Sequence, residues 1–129
     1  MSARQAGGPP PPEDGAMLQA IAEAIDAVKG RDTVVFDVRG FEVPTSYMVI
    51  TSGETAKQLR AIRLEIEDRL GAKPFQQEGA DSQQWMVADY GSVIVHIMSQ
   101  DARAFYELDE LWDGTPVALE GVSDGAVEP

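Results

Sequence analysis

With 129 residues the chain has the length of one domain, and 22 acidic against 10 basic residues leave a formal charge of −12. Such a charge repels phosphates at long range, which argues against direct sequence-specific nucleic-acid binding and favours a basic partner protein. No cysteine is present, which excludes disulfides, zinc ribbons and thiol catalysis and fits a reducing cytoplasm.

In chain order, residues 1–15 carry Gly7-Gly8 and the run Pro9 to Pro12, too little apolar surface to offset the entropy of ordering, so a disordered tail is expected. Met1 to Asp14 lacks the apolar stretch of a signal peptide, and no run approaches the ~20 apolar residues of a spanning helix. The expectation is a soluble, cytoplasmic protein with no membrane partner. Leu18, Ile21, Ala22, Ile25 and Val28 recur at helical spacing, and Gly30 stands where a left-handed cap would end that helix. Thr33 to Val38 and Tyr47 to Thr51 are compact β-branched runs, read as strands. The short connector between them, with Gly40 and Pro44, predicts an antiparallel pair.

A long helix is predicted over 55–70, with Ala56, Leu59, Ile62, Ile66 and Leu70 on one stripe and charged residues on the other, ended by Gly71. Residues 72–77 allow a short strand that Pro74 demotes to an edge. Trp85 to Tyr90 and Val93 to Met98 are two more strands, and Gly91-Ser92 leaves room only for a hairpin turn. A last helix over 101–112 would pack Ala104, Phe105, Leu108, Leu111 and Trp112 inward. The sum is an α/β (α+β) domain over 16–116, a mixed five-stranded sheet with packed helices, followed by a flexible acidic tail over 117–129.

Sites of chemistry are sparse. The single histidine, His96, cannot build a multi-histidine metal site. Thr51-Ser52-Gly53-Glu54-Thr55 precedes a helix but lacks the glycines and lysine of a phosphate loop, so Thr55 or Ser52 is expected to cap the helix. Asp37 and Asp89 would need to converge to hold magnesium as in nucleotidyltransferases. Five of the nine aromatic residues fall at Trp85, Tyr90, Phe105, Tyr106 and Trp112. Strand alternation places Trp85, Val87 and Asp89 opposite Met86, Ala88 and Tyr90, and Ile94, His96 and Met98 opposite Val93, Val95 and Ile97. Phe105 is expected in the core. Trp85 and Tyr90, near hairpin ends and carrying polar handles, are expected as exposed binding anchors. Composition and periodicity alone stop at a soluble, acidic α/β domain.

The segment Asp89-Tyr90-Gly91-Ser92-Val93-Ile94-Val95-His96-Ile97-Met98 resembles the Asp-Tyr-Gly turn and histidine-bearing strand of the iojap-like, ribosomal silencing factor family. Arg103-Ala104-Phe105-Tyr106-Glu107-Leu108-Asp109-Glu110-Leu111-Trp112 is similar to that family's closing helix. Upstream, Tyr47 to Gly53 and Glu78-Gly79 also resemble it, and the likeness runs in order over 17–116. Ser46 and Glu54 depart from the family's usual acid and serine.

The resemblance implies a nucleotidyltransferase-like fold without the catalytic carboxylates, no cofactor, no metal and no enzymatic activity. It implies binding to the large ribosomal subunit through the protein numbered fourteen, with steric exclusion of the small subunit and lower translation when nutrients are scarce. A homodimer of the free protein through the same surface is implied as well. The residues expected at the contact are Glu78, Trp85, Asp89, Tyr90, His96, Met98 and Tyr106, with His96 orienting Asp89 or bonding across the interface. Three alternatives stand beside it: large-subunit assembly, a small magnesium enzyme using Asp37 and Asp89, and an acidic adaptor docking by its proline-rich leader.

Overall fold

The computed structural model describes residues 9–79, 83–112 and 117. Its elements are α1 (Pro12–Ala27), β1 (Arg31–Asp37), β2 (Tyr47–Gly53), α2 (Ala56–Leu70), β3 (Gln76–Glu78), β4 (Trp85–Asp89), β5 (Val93–Ser99) and α3 (Gln100–Tyr106), then a 3-10 turn, Leu108–Trp112. The strands form one mixed sheet in the order β1-β2-β5-β4-β3. β1 and β2 pair antiparallel, as do β4 with β5 and β3 with β4, while β2 and β5 run parallel at the centre. The chain therefore leaves β2 through α2, enters the far edge at β3, and returns strand by strand until β5 lies beside β2.

One face of the sheet is closed. Leu18, Ile21 and Ile25 of α1 and Leu59, Ile62 and Ile66 of α2 pack on Val49, Val93, Val95 and Ile97 in one continuous core. Each such side chain contributes about 1.5–3 kcal/mol by leaving water. Thr55 caps α2 by accepting from Gln58 N at 3.0 Å, and Gly71 ends it at φ 66. The side chain of Gln58 accepts from Glu54 N and donates to the carbonyls of Val28 and Lys29, tying the start of α2 to the end of α1. Ser52, the other expected cap, lies inside β2 and accepts instead from the Arg103 guanidinium at 3.0 Å.

Several expectations need correction. α1 begins at Pro12, so residues 12–15 belong to the helix and not to the leader; Pro12 sits in its first turn, where its missing N–H costs nothing, with Glu13 and Asp14 facing the helix dipole. Residues 1–8, and the acidic tail apart from Val117, lie outside the described residues. Lys29, at φ 64, takes the left-handed position after α1, not Gly30. Gly30 is required for a different reason: a Cβ there would stand 2.3 Å from Ile25 Cγ2.

The last helix does not run to Trp112. Glu107 adopts φ 51, its amide bonds back to Arg103 O, and the chain turns into the 3-10 segment. That break changes the phase of everything after it. Ala102 is buried and Leu108 partly so, but Ala104 is exposed and Phe105 and Leu111 are 79% and 60% exposed. Phe105 is therefore a surface residue.

Candidate docking surface

Among the described residues, the opposite face of the sheet is covered over only part of its width. Near β1 and β2, a second core joins Val34, Phe36, Met48, Ile50, Met98 and Ala102, with Leu108 packed against it. α3 and the 3-10 turn supply this cover, held by a fork in which Arg103 donates to both Asp109 carboxylate oxygens, at 3.1 and 2.7 Å, and to Ser52 Oγ. Ser99 caps α3 by accepting from Ala102 N at 3.0 Å.

Towards β4 and β3 the cover ends. Register places Trp85 opposite Met98, Val87 opposite His96 and Asp89 opposite Ile94, with Glu78 beside Val87 and Gln76 beside Asp89. Paired residues share a face, so all of these project to the same side. Trp85, Val87, Asp89 and Ile94 are half-buried and Glu78 is exposed. Gln76, Gln77, Glu78, Val87, Asp89 and Ile94 line a hollow of about 140 Å3. Along β4, Trp85 and Asp89 are separated by about 13 Å at the usual strand rise, so the apolar ring and the carboxylate mark the two ends of the open strip.

Trp85 is set by its neighbours. Its Nε1–H donates to His96 Nδ1 at 3.0 Å, and the two rings lie 5.9 Å apart. Beyond it the Tyr106 ring follows at 4.8 Å with a 50° tilt, and Phe105 meets Tyr106 edge-on at 4.9 Å. Tyr106 is 55% exposed. A row of four rings thus runs from the sheet interior to solvent, beside a second hollow of about 250 Å3 lined by Gln84, Asp101, Ala102, Phe105 and Tyr106. His96 is 8% exposed, and burial pushes its pKa down to about 4. Its ring is neutral at pH 7, and because Nδ1 accepts, the proton sits on Nε2.

The expected contact residues divide accordingly. Glu78, Trp85, Asp89 and Tyr106 come together on the open strip or its rim, with His96 beneath Trp85. Met98 is 0% exposed, sealed by α3, and has no surface to offer. Tyr90 projects to the other face with Met86 and Ala88, into the core under the helices; burial pushes its hydroxyl pKa up to about 12. Proximity to a hairpin end did not expose it, because the helical layer covers that end. Asp89 is oriented not by His96 but by Gly91, whose N–H donates to Oδ1 at 2.8 Å and fixes the turn at φ 89. Val87 and Ile94 line the first hollow and Phe105 the second, although none of the three is among the expected contacts. Alternation already grouped the first two with Asp89 and His96; nothing local signalled the third.

The magnesium alternative loses its geometry. Asp37 pairs with Tyr47 on the helix-covered face, whereas Asp89 projects to the open one, and two strands, β2 and β5, separate their strands. Burial pushes the Asp37 carboxyl up, but hydrogen bonds from the Arg39 guanidinium, the shortest 2.6 Å, and its charge outweigh that and hold the pKa low. Its oxygens are already engaged. No helix among the described residues is long and apolar enough to cross a membrane.

Comparison with known proteins agrees with this architecture. Residues 11–128 match the family described as "Ribosomal silencing factor during starvation". The chain is 38% identical over 100 residues to ribosomal silencing factor RsfS of Haemophilus influenzae, covering 75% of this chain and 98% of that protein. It is 32% identical over 88 residues to mouse "Mitochondrial assembly of ribosomal large subunit protein 1", covering 64% of this chain and 39% of the mouse protein. A crystal structure of a Chromobacterium violaceum protein superimposes with a TM-score of 0.72 at 26% identity, over 88% of this chain and 95% of that one. With the mixed sheet, the helical layer and the family match over one continuous stretch, the chain belongs to the ribosomal silencing factor family.

Proposed function

We propose that the protein docks on the large ribosomal subunit through its protein numbered fourteen and, once bound, keeps the small subunit away by occupying its space. The observation that carries this reading is the open strip itself. An apolar floor of Val87 and Ile94, an anchor at Trp85 and carboxylates at Glu78 and Asp89 suit a partner that offers an apolar knob flanked by basic side chains. The acidic residues of α3 and its continuation, Asp101, Glu107 and Glu110, extend the same sign, and the net charge of −12 steers the protein towards a basic surface. Occlusion needs affinity and bulk but no chemistry, so the reading assigns no catalytic residue.

Repression of translation when nutrients are scarce follows from lost subunit joining, and the site of action is the cytoplasm. When free, the protein pairs with a second copy through the same strip, because Trp85, Phe105, Tyr106 and Leu111 together leave apolar side chains in water. The mouse relative, named for assembly of the large ribosomal subunit, supports a second reading, in which the same docking serves assembly.

Sucrose-gradient sedimentation of purified subunits, at a magnesium concentration that permits joining, separates these readings. Co-migration with the large subunit and loss of joined ribosomes is the expected result. Co-migration without loss of joining favours assembly. Absence from the large-subunit fraction contradicts both.

A further inference from the structure

Histidine is a costly residue at position 96. The side chain is 8% exposed, in a central strand between Val95 and Ile97, and its Nε2 is buried with no hydrogen-bond partner among the described residues. Since Nδ1 accepts from Trp85, Nε2 carries the proton, and an unpaired buried donor is a cost. A phenylalanine or leucine there would fill the space without an orphaned N–H. What the imidazole supplies, and an apolar side chain cannot, is one acceptor aimed at the Trp85 indole N–H, 3.0 Å away.

The consequence falls on Trp85. Register sets His96 two residues along β5 from Met98, the residue opposite Trp85, so the contact is diagonal and fixes the indole's rotation, not merely its place. Tyr106 bounds the ring on a further side at 4.8 Å. The directional bond, the tilted Tyr106 ring and the packing of Trp85 against the second core together confine this half-buried indole. We infer that His96 is a positioning residue for docking: it holds the Trp85 indole in its binding orientation before any partner arrives, so that association does not have to order it. The inference rests on the proposed docking reading and gives its central anchor a mechanism, namely preorganisation. His96 itself needs no contact with the partner.

The test combines the free protein with subunit binding. In the wild type, nitrogen NMR of His96 is expected to show an unprotonated Nδ1 and a protonated Nε2; the opposite tautomer would overturn the proposal without any variant being made. His96→Phe keeps a ring and removes the acceptor, whereas His96→Asn returns an oxygen acceptor near the position of Nδ1. Phe is expected to shift the Trp85 indole N–H resonance, hasten its exchange with solvent and weaken large-subunit binding about tenfold. Asn is expected to restore all three towards wild type, while the Trp112 indole resonance serves as reference. An unmoved Trp85 resonance in His96→Phe overturns the proposal, as does a freed indole with unweakened binding. Trp85→Ala distinguishes the two levels. If it binds like wild type, the docking reading itself has failed. If it binds poorly and His96→Phe does not, only the positioning role has failed.

Discussion

The two faces of the sheet are built from the same strands and are both largely apolar, yet among the described residues only one is closed. α1 and α2, of 16 and 15 residues, close one face from β1 to β4, burying Met86, Ala88 and Tyr90 beneath them. α3 has 7 residues and then breaks at Glu107, so its cover reaches Met98 and stops at Trp85. The lesson is that an interaction surface in this fold needs no added loop or insertion. It arises where a helix is too short for the sheet beneath it, leaving core-type side chains at the boundary with a polar strip of β3 and β4 beyond.

This contrast can be broken experimentally. The closed face should carry the stability: Ile97→Ala is expected to cost about 2–5 kcal/mol, read as a lower urea midpoint. Subunit affinity per folded molecule should stay unchanged. A loss of docking larger than the loss of folded protein would mean that the faces are not separable.

The open face should be marked by His96. Its pKa falls from an ordinary 6.5 to about 4 on folding through burial, so between those values the unfolded chain binds more protons and stability rises with pH. The contribution is therefore complete above pH 6.5 and lost as pH falls to about 4, at most about 3 kcal/mol in all. Asp37, whose pKa is held below the ordinary carboxylate value by Arg39, adds a dependence of its own at lower pH, so the informative quantity is the difference between wild type and His96→Asn. That difference in urea midpoint should change across pH 6.5 to 4; parallel curves would contradict a buried neutral imidazole. The smallest effect is expected at Thr55→Ala, on the rim of the closed face. Loss of the bond to Gln58 N should cost about 1 kcal/mol of stability and leave docking intact.

Much of this architecture was legible from local pattern. The strand runs, the Gly91-Ser92 hairpin, the amphipathic stripe of α2 and its Thr55 and Gly71 caps all follow from spacing, and alternation assigned Trp85, Asp89 and His96 to one face. What was not legible depends on distant partners. The phase of the last helix is set by Arg103, which reaches Ser52 across 51 positions of chain and folds the 3-10 turn back onto β2. Until that bond is known, Phe105 and Leu111 look like core. Tyr90 and Met98 sit on the faces that alternation assigned, but their burial depends on which helix lies over each. The need for Gly30 is not local either, since the close approach of Ile25 appears only once α1 packs against the sheet.

The central claim is that the open half of the sheet is the docking surface, and co-sedimentation of the Trp85→Ala/Asp89→Ala double variant with large subunits tests it most directly. Arg60→Ala, on the exposed side of α2, is the control. Loss of the tryptophan anchor alone should reduce affinity by about 2 kcal/mol, roughly thirtyfold, with the carboxylate adding to it and the control unchanged. Wild-type binding by the double variant, or an equal loss in the Arg60 control, would contradict the account.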